Sequence, residues 1–376
     1  MNEIKVKKVE NKHELKDFLS VPKRIYANCS QYVPDFESDI VDSFNPKKNA
    51  GLSFCDLQPF IAYKGNEAVG RIVGIVNHKA NTRWNTKTVR FSLIEFTDDP
   101  QVSAALLKAV EEWGRALGMN HIQGPMGITD FDKEGMLVED FDMIGSTTAI
   151  YNPPYYPQHL EKLGFGKEVD WVQIRVQIPE EVPAKYARVA DYCRTMLGLT
   201  VKKVKSQELF DHYGQEIFDL LNESYSELFG YSSLSKDQID EFVKLYVKVV
   251  DLNMVPLITN AKGELVGVAV TMPSLSEAMH KTHGSMWPFG WYHLLKALKW
   301  KKSDHVDLLL IAVRKDFRGL GVNALFFDDL IPIFNKNGFK WAETGPQLET
   351  NAPELPQWKP MHPETVKRRR CYCKNI

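Results

Sequence analysis

The chain has 376 residues, 44% hydrophobic and 25% charged. That length suits two domains, and that composition can bury a full core, which argues against a disordered chain. Lys and Arg total 47 against 48 Asp and Glu, a formal charge of −1, so there is no basic excess to bind nucleic acid broadly.

The opening residues, MNEIKVKKVENKHELKDF, hold no apolar h-region, so no signal peptide is expected. No stretch approaches the roughly 18 apolar residues of a membrane span. The five scattered cysteines fit reduced thiols in a cytoplasmic protein.

Lys64-Gly65-Asn66-Glu67-Ala68-Val69-Gly70 reads as a hairpin turn entering an apolar strand, and Phe91 to Phe96 as a further strand. Val102, Leu106, Ala109, Val110, Trp113 and Leu117 recur at helical spacing. Asp98 and Asp99 precede that helix as caps, Pro100 suits its first turn, and Gly118 ends it. Met119 to Gln123 is a short strand closed by Gly124-Pro125, and an acidic loop follows from Thr129 to Gly135. The pattern breaks at Pro179-Glu180-Glu181-Val182-Pro183.

The same order then returns, offset by about 220 residues. Ala261 to Gly267 is the hairpin, Val306 to Val313 the strand, and Val322 to Phe334 the helix, which Gly338 ends. Phe339 to Thr344 is the closing strand, and Gly345-Pro346 terminates it. The fold class is α/β with mixed sheets, in two copies: residues 1–178 and 183–376. The second copy carries an insertion at about 273–304. Within it, Trp291, Leu294, Leu295, Leu298 and Lys302 share one helical face, read as a helix packing between the domains in preference to one on a membrane surface. Cys371 and Cys373 fit a terminal strand, because no second Cys or His pair has metal spacing; no metal is expected.

Between strand and helix in the second copy lies Arg314-Lys315-Asp316-Phe317-Arg318-Gly319-Leu320-Gly321-Val322-Asn323. The first turn of a helix offers about four unpartnered N–H groups and a partial positive charge, which suits a phosphate or diphosphate. Gly319 and Gly321 permit close approach, and Arg314, Lys315 and Arg318 add charge. Neither a P-loop nor a three-glycine dinucleotide fingerprint is present. The matching turn of the first copy, Phe96 to Gln101, has no glycine and carries Asp98 and Asp99, which repel phosphate. The first copy is therefore read as degenerate.

The loop resembles the acyl-CoA loop of the GNAT (Gcn5-related N-acetyltransferase) superfamily, R-G-x-G-h-G-x-x-L, through Arg318, Gly319, Gly321, Val322 and Leu325 or Phe326. Asn323 stands where the family has Gly or Ala. The whole order of elements is similar to tandem, YghO-like bacterial proteins. The resemblance implies two acyl-CoA N-acyltransferase domains, with acetyl-CoA or another acyl-CoA as co-substrate. It implies CoA contacts from Val313, Arg314, Phe317, Arg318, Gly319, Leu320, Gly321, Val322 and Asn323, and from Asn351 of Glu349-Thr350-Asn351. It also implies a β-bulge splaying two strands and a backbone N–H near Ile311 to Val313 that polarises the thioester carbonyl. Glu343 is the candidate base. Tyr225, with Tyr231 beside it, is the candidate acid or pocket wall. The expected acceptor is a small-molecule or peptide amine, without nucleic acid, and a homodimer stays open. A non-catalytic CoA sensor or scaffold is the alternative, and an aminoacyl-tRNA-dependent transferase is a third reading that the charge balance disfavours.

Overall fold

The computed structural model describes residues 3–241, 250–300, 303–350 and 355–376. Its strands are β1 (Ile4–Lys8), β2 (Cys55–Lys64), β3 (Glu67–Asn77), β4 (Thr88–Phe96), β5 (His121–Gly124), β6 (Met136–Leu137) and β7 (Gly166–Gln177). They continue with β8 (Thr200–Lys202), β9 (Leu257–Thr259), β10 (Leu265–Pro273), β11 (His305–Val313), β12 (Trp341–Thr344), β13 (Gln347–Leu348) and β14 (Glu364–Asn375).

The chain forms two compact units. Unit 1 is Met1–Val172, Ser276–Trp291 and Lys367–Ile376; unit 2 is Gln173–Leu275 and Tyr292–Val366. The expected division, 1–178 and 183–376, runs along the chain, whereas these units are assembled from separated segments. In unit 1 the strand order is β1-β2-β3-β4-β5-β14, then the first half of β7. In unit 2 it is the second half of β7, then β12-β11-β10-β9-β8. In each unit two strands pair in parallel, β4 with β5 and β11 with β12. The antiparallel neighbour of β5 is β14, from the chain's end, and that of β12 is β7, from the end of the first copy. Each copy thus lends a strand to cover an edge of the other, and bare sheet edges are aggregation-prone.

The helix of each copy packs closely on its sheet. In unit 1 it is Pro100–Ala116, whose N-cap Asp99 accepts from the Gln101 N–H at 2.9 Å. Val102, Leu106 and Val110 are fully buried, each contributing about 1.5–3 kcal/mol of apolar burial. A Cβ on Gly70 of β3 would lie 2.8 Å from Leu106 Cδ1. In unit 2 the helix is Asn323–Lys336, and a Cβ on Gly267 of β10 would lie 3.1 Å from Phe326 Cζ. Glycine at the head of the hairpin strand is what lets the helix approach. The registers agree as well: Gly70 pairs with Phe96, and Gly267 with Val313.

Both loop-bearing strands carry a bulge. Val270 pairs with Leu310 but Thr271 with Leu308, leaving Leu309 as the extra residue of β11. In β4 the register slips between Glu95 and Ser92, and Leu93 there takes a φ of 45°. Beyond the bulge the parallel neighbour is lost, since β12 pairs with β11 only from His305 to Leu308.

Candidate functional site

In unit 2, β11 runs into a short 3-10 turn (Lys315–Phe317), then Arg318-Gly319-Leu320-Gly321, then the helix Asn323–Lys336. Gly319 and Gly321 have φ of 76° and 86°, the left-handed region that glycine enters without penalty. Arg318, Gly319 and Leu320 are exposed. Among the described residues, the backbone N–H groups of Gly319, Gly321, Val322 and Asn323 have no main-chain partner.

The loop's side chains divide the work. Arg314 donates to Asp316 at 2.8 and 3.0 Å, lies 3.5 Å from Glu264, and covers the Phe317 ring at 4.9 Å. Its charge is largely answered within the protein, so it braces the turn. Arg318 donates from Nε to the Val313 carbonyl at 2.9 Å, which leaves its two Nη groups for an anion. Lys315 is exposed. The Asn323 amide donates to Gln357 Oε1 at 2.6 Å, and the backbone carbonyl of Gln357 accepts from the Tyr186 hydroxyl. Val189 packs on Gly321, where a Cβ would come within 2.4 Å of its Cγ1; around Gly319 nothing lies within 4 Å. Gly321 is thus fixed by packing, and Gly319 is the open position. Asn351 lies outside the described residues.

The edge of β11 is the second part of the site. Arg314 donates its N–H to Val266 of the β10 side at 2.8 Å, so alternate residues, Val313 and Ile311, face away from β10. The Val313 carbonyl is taken by Arg318, and the Ile311 carbonyl accepts from the Tyr225 hydroxyl at 3.1 Å. The N–H groups of Ile311 and Val313 have no main-chain partner among the described residues. The splayed edge therefore presents two donors, while side chains of the same unit have satisfied its acceptors. Such an edge fits an incoming carbonyl oxygen, and more so one gaining negative charge.

A polar row crosses the unit 2 sheet where β11 and β12 are still paired. Asp307, Glu343 and Arg175 are register partners on β11, β12 and β7, so their side chains share one face. The opposite face is apolar, with Val306, Ala342 and Val176 buried. Glu343 accepts from Gln173 Nε2 at 3.0 Å. Arg175 donates to His305 Nε2 at 3.1 Å and lies 4.6 Å over the Trp341 ring. With Nε2 accepting, the proton of His305 sits on Nδ1, 2.6 Å from Asp304 Oδ1. Sequence reasoning singled out Glu343 and discounted Asp307, because Asp307 opens its strand and the middle of that strand holds no carboxylate; the legible signal was the His305, Asp307 alternation. Tyr225 ends the helix Gly214–Tyr225 and reaches β11, whereas Tyr231 is buried with its hydroxyl on Asn222 Oδ1.

Unit 1 holds the corresponding positions differently. The Phe96 N–H donates to the Tyr156 hydroxyl at 2.8 Å, and the Phe96 carbonyl accepts from Tyr155 at 2.7 Å. Glu95 accepts from the hydroxyls of Tyr156 and Tyr26, each at 2.7 Å. Burial pushes its carboxyl up to about 7, against the pull of Arg71, its register partner. Asp98 meets His159 Nε2 at 2.9 Å, and Asp99 caps the helix and pairs with Lys64. The acidic loop also folds into this unit: burial raises Asp130 to about 7, and both its oxygens lack a hydrogen-bond partner among the described residues. Donor atoms of His121, Glu168 and Cys373 lie within 4.8 Å of one another, a geometry that could hold an ion.

No family model matches the chain. It is 28% identical over 314 residues to the bacterial ceramide synthase of Caulobacter vibrioides (strain NA1000 / CB15N), covering 82% of this chain and 80% of that protein. It is 26% identical over 373 residues to protein YghO of Escherichia coli (strain K12), covering 97% and 94%. Among solved structures it matches a tandem GNAT protein from the clavulanic acid biosynthesis pathway, with a TM-score of 0.55 at 12% identity over 99% of this chain and 98% of that one. A GCN5-related N-acetyltransferase from Sphaerobacter thermophilus gives 0.54 at 11% identity over 99% and 95%. These likenesses show the fold, two GNAT-like units in one chain. No helix among the described residues is long and apolar enough to cross a membrane.

Proposed function

We propose that this chain, a tandem GNAT-fold protein similar to YghO, is an acyl-CoA-dependent N-acyltransferase whose chemistry resides in unit 2. The observation that carries the reading is the β11 edge: the Ile311 and Val313 N–H groups stand open while their carbonyls are taken, next to a glycine loop with unpartnered N–H groups. The CoA diphosphate would lie against the N–H groups of Gly319 and Gly321 to Asn323, with Arg318 beside it. The thioester carbonyl would then accept from the strand edge.

The acceptor amine attacks the carbonyl carbon as a free base, since an ammonium has no lone pair. A carbon–nitrogen bond forms, the carbon–sulfur bond breaks, and CoA leaves as thiolate. Asp307 or Glu343 takes the amine proton. Asp307 lies four residues from Ile311, about 13 Å along a strand, so a water or the substrate's own hydroxyl relays it. The Tyr225 hydroxyl, which donates to the Ile311 carbonyl, would return a proton to the thiolate.

The name of the Caulobacter relative makes a long-chain amino alcohol the first acceptor to try, with acetyl and long-chain acyl-CoA as donors. The test follows thiol release and amide formation by mass spectrometry across an amine panel. Asp307→Asn or Glu343→Gln, whichever removes the base, should lower kcat by about 10²–10⁴-fold with KM little changed. CoA binding without thiol release for any donor–amine pair would replace catalysis with the sensor reading.

A further inference from the structure

The insertion of the second copy carries a feature the transfer chemistry does not use. The helix Gly290–Trp300 has two distinct halves. One carries His293, Leu294, Ala297 and Leu298, all buried or half-buried. The other, at 100° per residue, carries Trp291, Leu295, Lys299, Tyr292, Lys296 and Trp300, and every one of these is exposed. Just before the helix, Trp287 and Phe289 are 78% and 70% exposed. More than half of the large hydrophobic side chains that stand exposed among the described residues fall between Met286 and Trp300. A patch of this kind marks a binding face.

We propose that this stretch is a docking site for an anionic lipid surface. Its composition separates that occupant from a protein partner. From Met286 to Lys302 there is no Asp or Glu, and Lys296, Lys299, Lys301 and Lys302 give four positive charges. The outward half interleaves Lys296 and Lys299 with tryptophan and tyrosine, the rings that settle at the headgroup level of a bilayer. The sequence reading set this aside because the whole chain is near neutral. Screening confines attraction to within about 10 Å, so the local charge decides. The length of 11 residues suits a helix lying in the interface. The proposal stands apart from the acyl-transfer reading, since docking needs neither acyl-CoA nor turnover.

The full chain is mixed with vesicles of phosphatidylcholine alone, or with phosphatidylglycerol added, and sedimented. Binding is expected to the anionic vesicles and to weaken in high salt. Trp287→Ser with Phe289→Ser, and separately Lys296→Gln with Lys299→Gln, should each lower the partition on the order of tenfold. Unchanged CoA affinity by calorimetry would show that both variants are folded. No sedimentation with anionic vesicles, or equal sedimentation of parent and both variants, overturns the proposal. So does a concentration-dependent dimer of the parent, formed without vesicles, that the same substitutions abolish.

Discussion

Phe96 and Val313 end equivalent strands, pair with equivalent glycines, and follow equivalent bulges. At Val313 the N–H is open and the carbonyl is held by Arg318. At Phe96 two tyrosine hydroxyls take both groups. One residue back, unit 2 has Ala312 paired with Val268, and unit 1 has Glu95 paired with Arg71. On the proposed reading the same backbone is a docking edge in one copy and a hydrogen-bonded core in the other. Unit 1 would then lack the site for two separate reasons: an acidic turn that repels diphosphate, and tyrosine side chains that fill the strand edge.

The largest effect should come from closing the open loop. Gly319 has free space around it, and Asp tolerates its left-handed backbone better than most residues. Gly319→Asp should lower CoA affinity on the order of 100-fold, near 3 kcal/mol, as read by calorimetry. Gly319→Asn, with the same shape and no charge, should keep most of the binding. Equal loss in both would mean that shape, not repulsion, excludes the diphosphate, and the contrast with Asp98 and Asp99 would lose its electrostatic basis. Gly321 is a poorer probe, because Val189 occupies the space beside it.

Unplugging unit 1 should change stability without creating a second site. Tyr156→Phe strands the Phe96 N–H and removes one of two tyrosine donors to Glu95. A loss of about 2–3 kcal/mol is expected from the buried unpaired groups, seen as a lower urea midpoint. CoA stoichiometry should stay at one per chain, because the first copy's turn still lacks glycine. A stoichiometry of two would show that the tyrosine plug alone silences unit 1.

Much of this contrast was legible in the sequence and part was not. Helix periodicity at Val102 to Leu117 and at Val322 to Phe334 marked one apolar face on each helix; the close approach over Gly70 and Gly267 emerged only in the structure. The doubled carboxylates at Asp98 and Asp99 marked one turn as unfit for an anion. The crossing of β14 into unit 1 and of the second half of β7 into unit 2 could not be read, because strand pairing depends on long-range register that a local pattern does not encode. For this reason isolated halves would be poor tests, each lacking a strand that the other supplies. The tyrosine plug was hidden for a similar reason: Tyr155 and Tyr156 lie about 60 residues from Phe96, and nothing in their spacing announces the contact.

The smallest expected effect isolates the acid that unit 2 has replaced with Ala312. Glu95 titrates near 7 in the fold, against an ordinary value of 4.5, because burial opposes its charge. Between those values the native state holds a proton that the unfolded chain releases, so stability falls as pH rises through that window. From about pH 5.5 to 7.5 the share due to this one group is about 2 kcal/mol. Glu95→Gln cannot ionise, so the difference in urea midpoint between parent and variant should shift in the variant's favour across that range. Taking the difference cancels Asp130 and the other acids common to both proteins. A parallel pair of profiles would place the Glu95 titration outside the window and overturn the claim that burial holds a proton on this acid beside the Phe96 strand end.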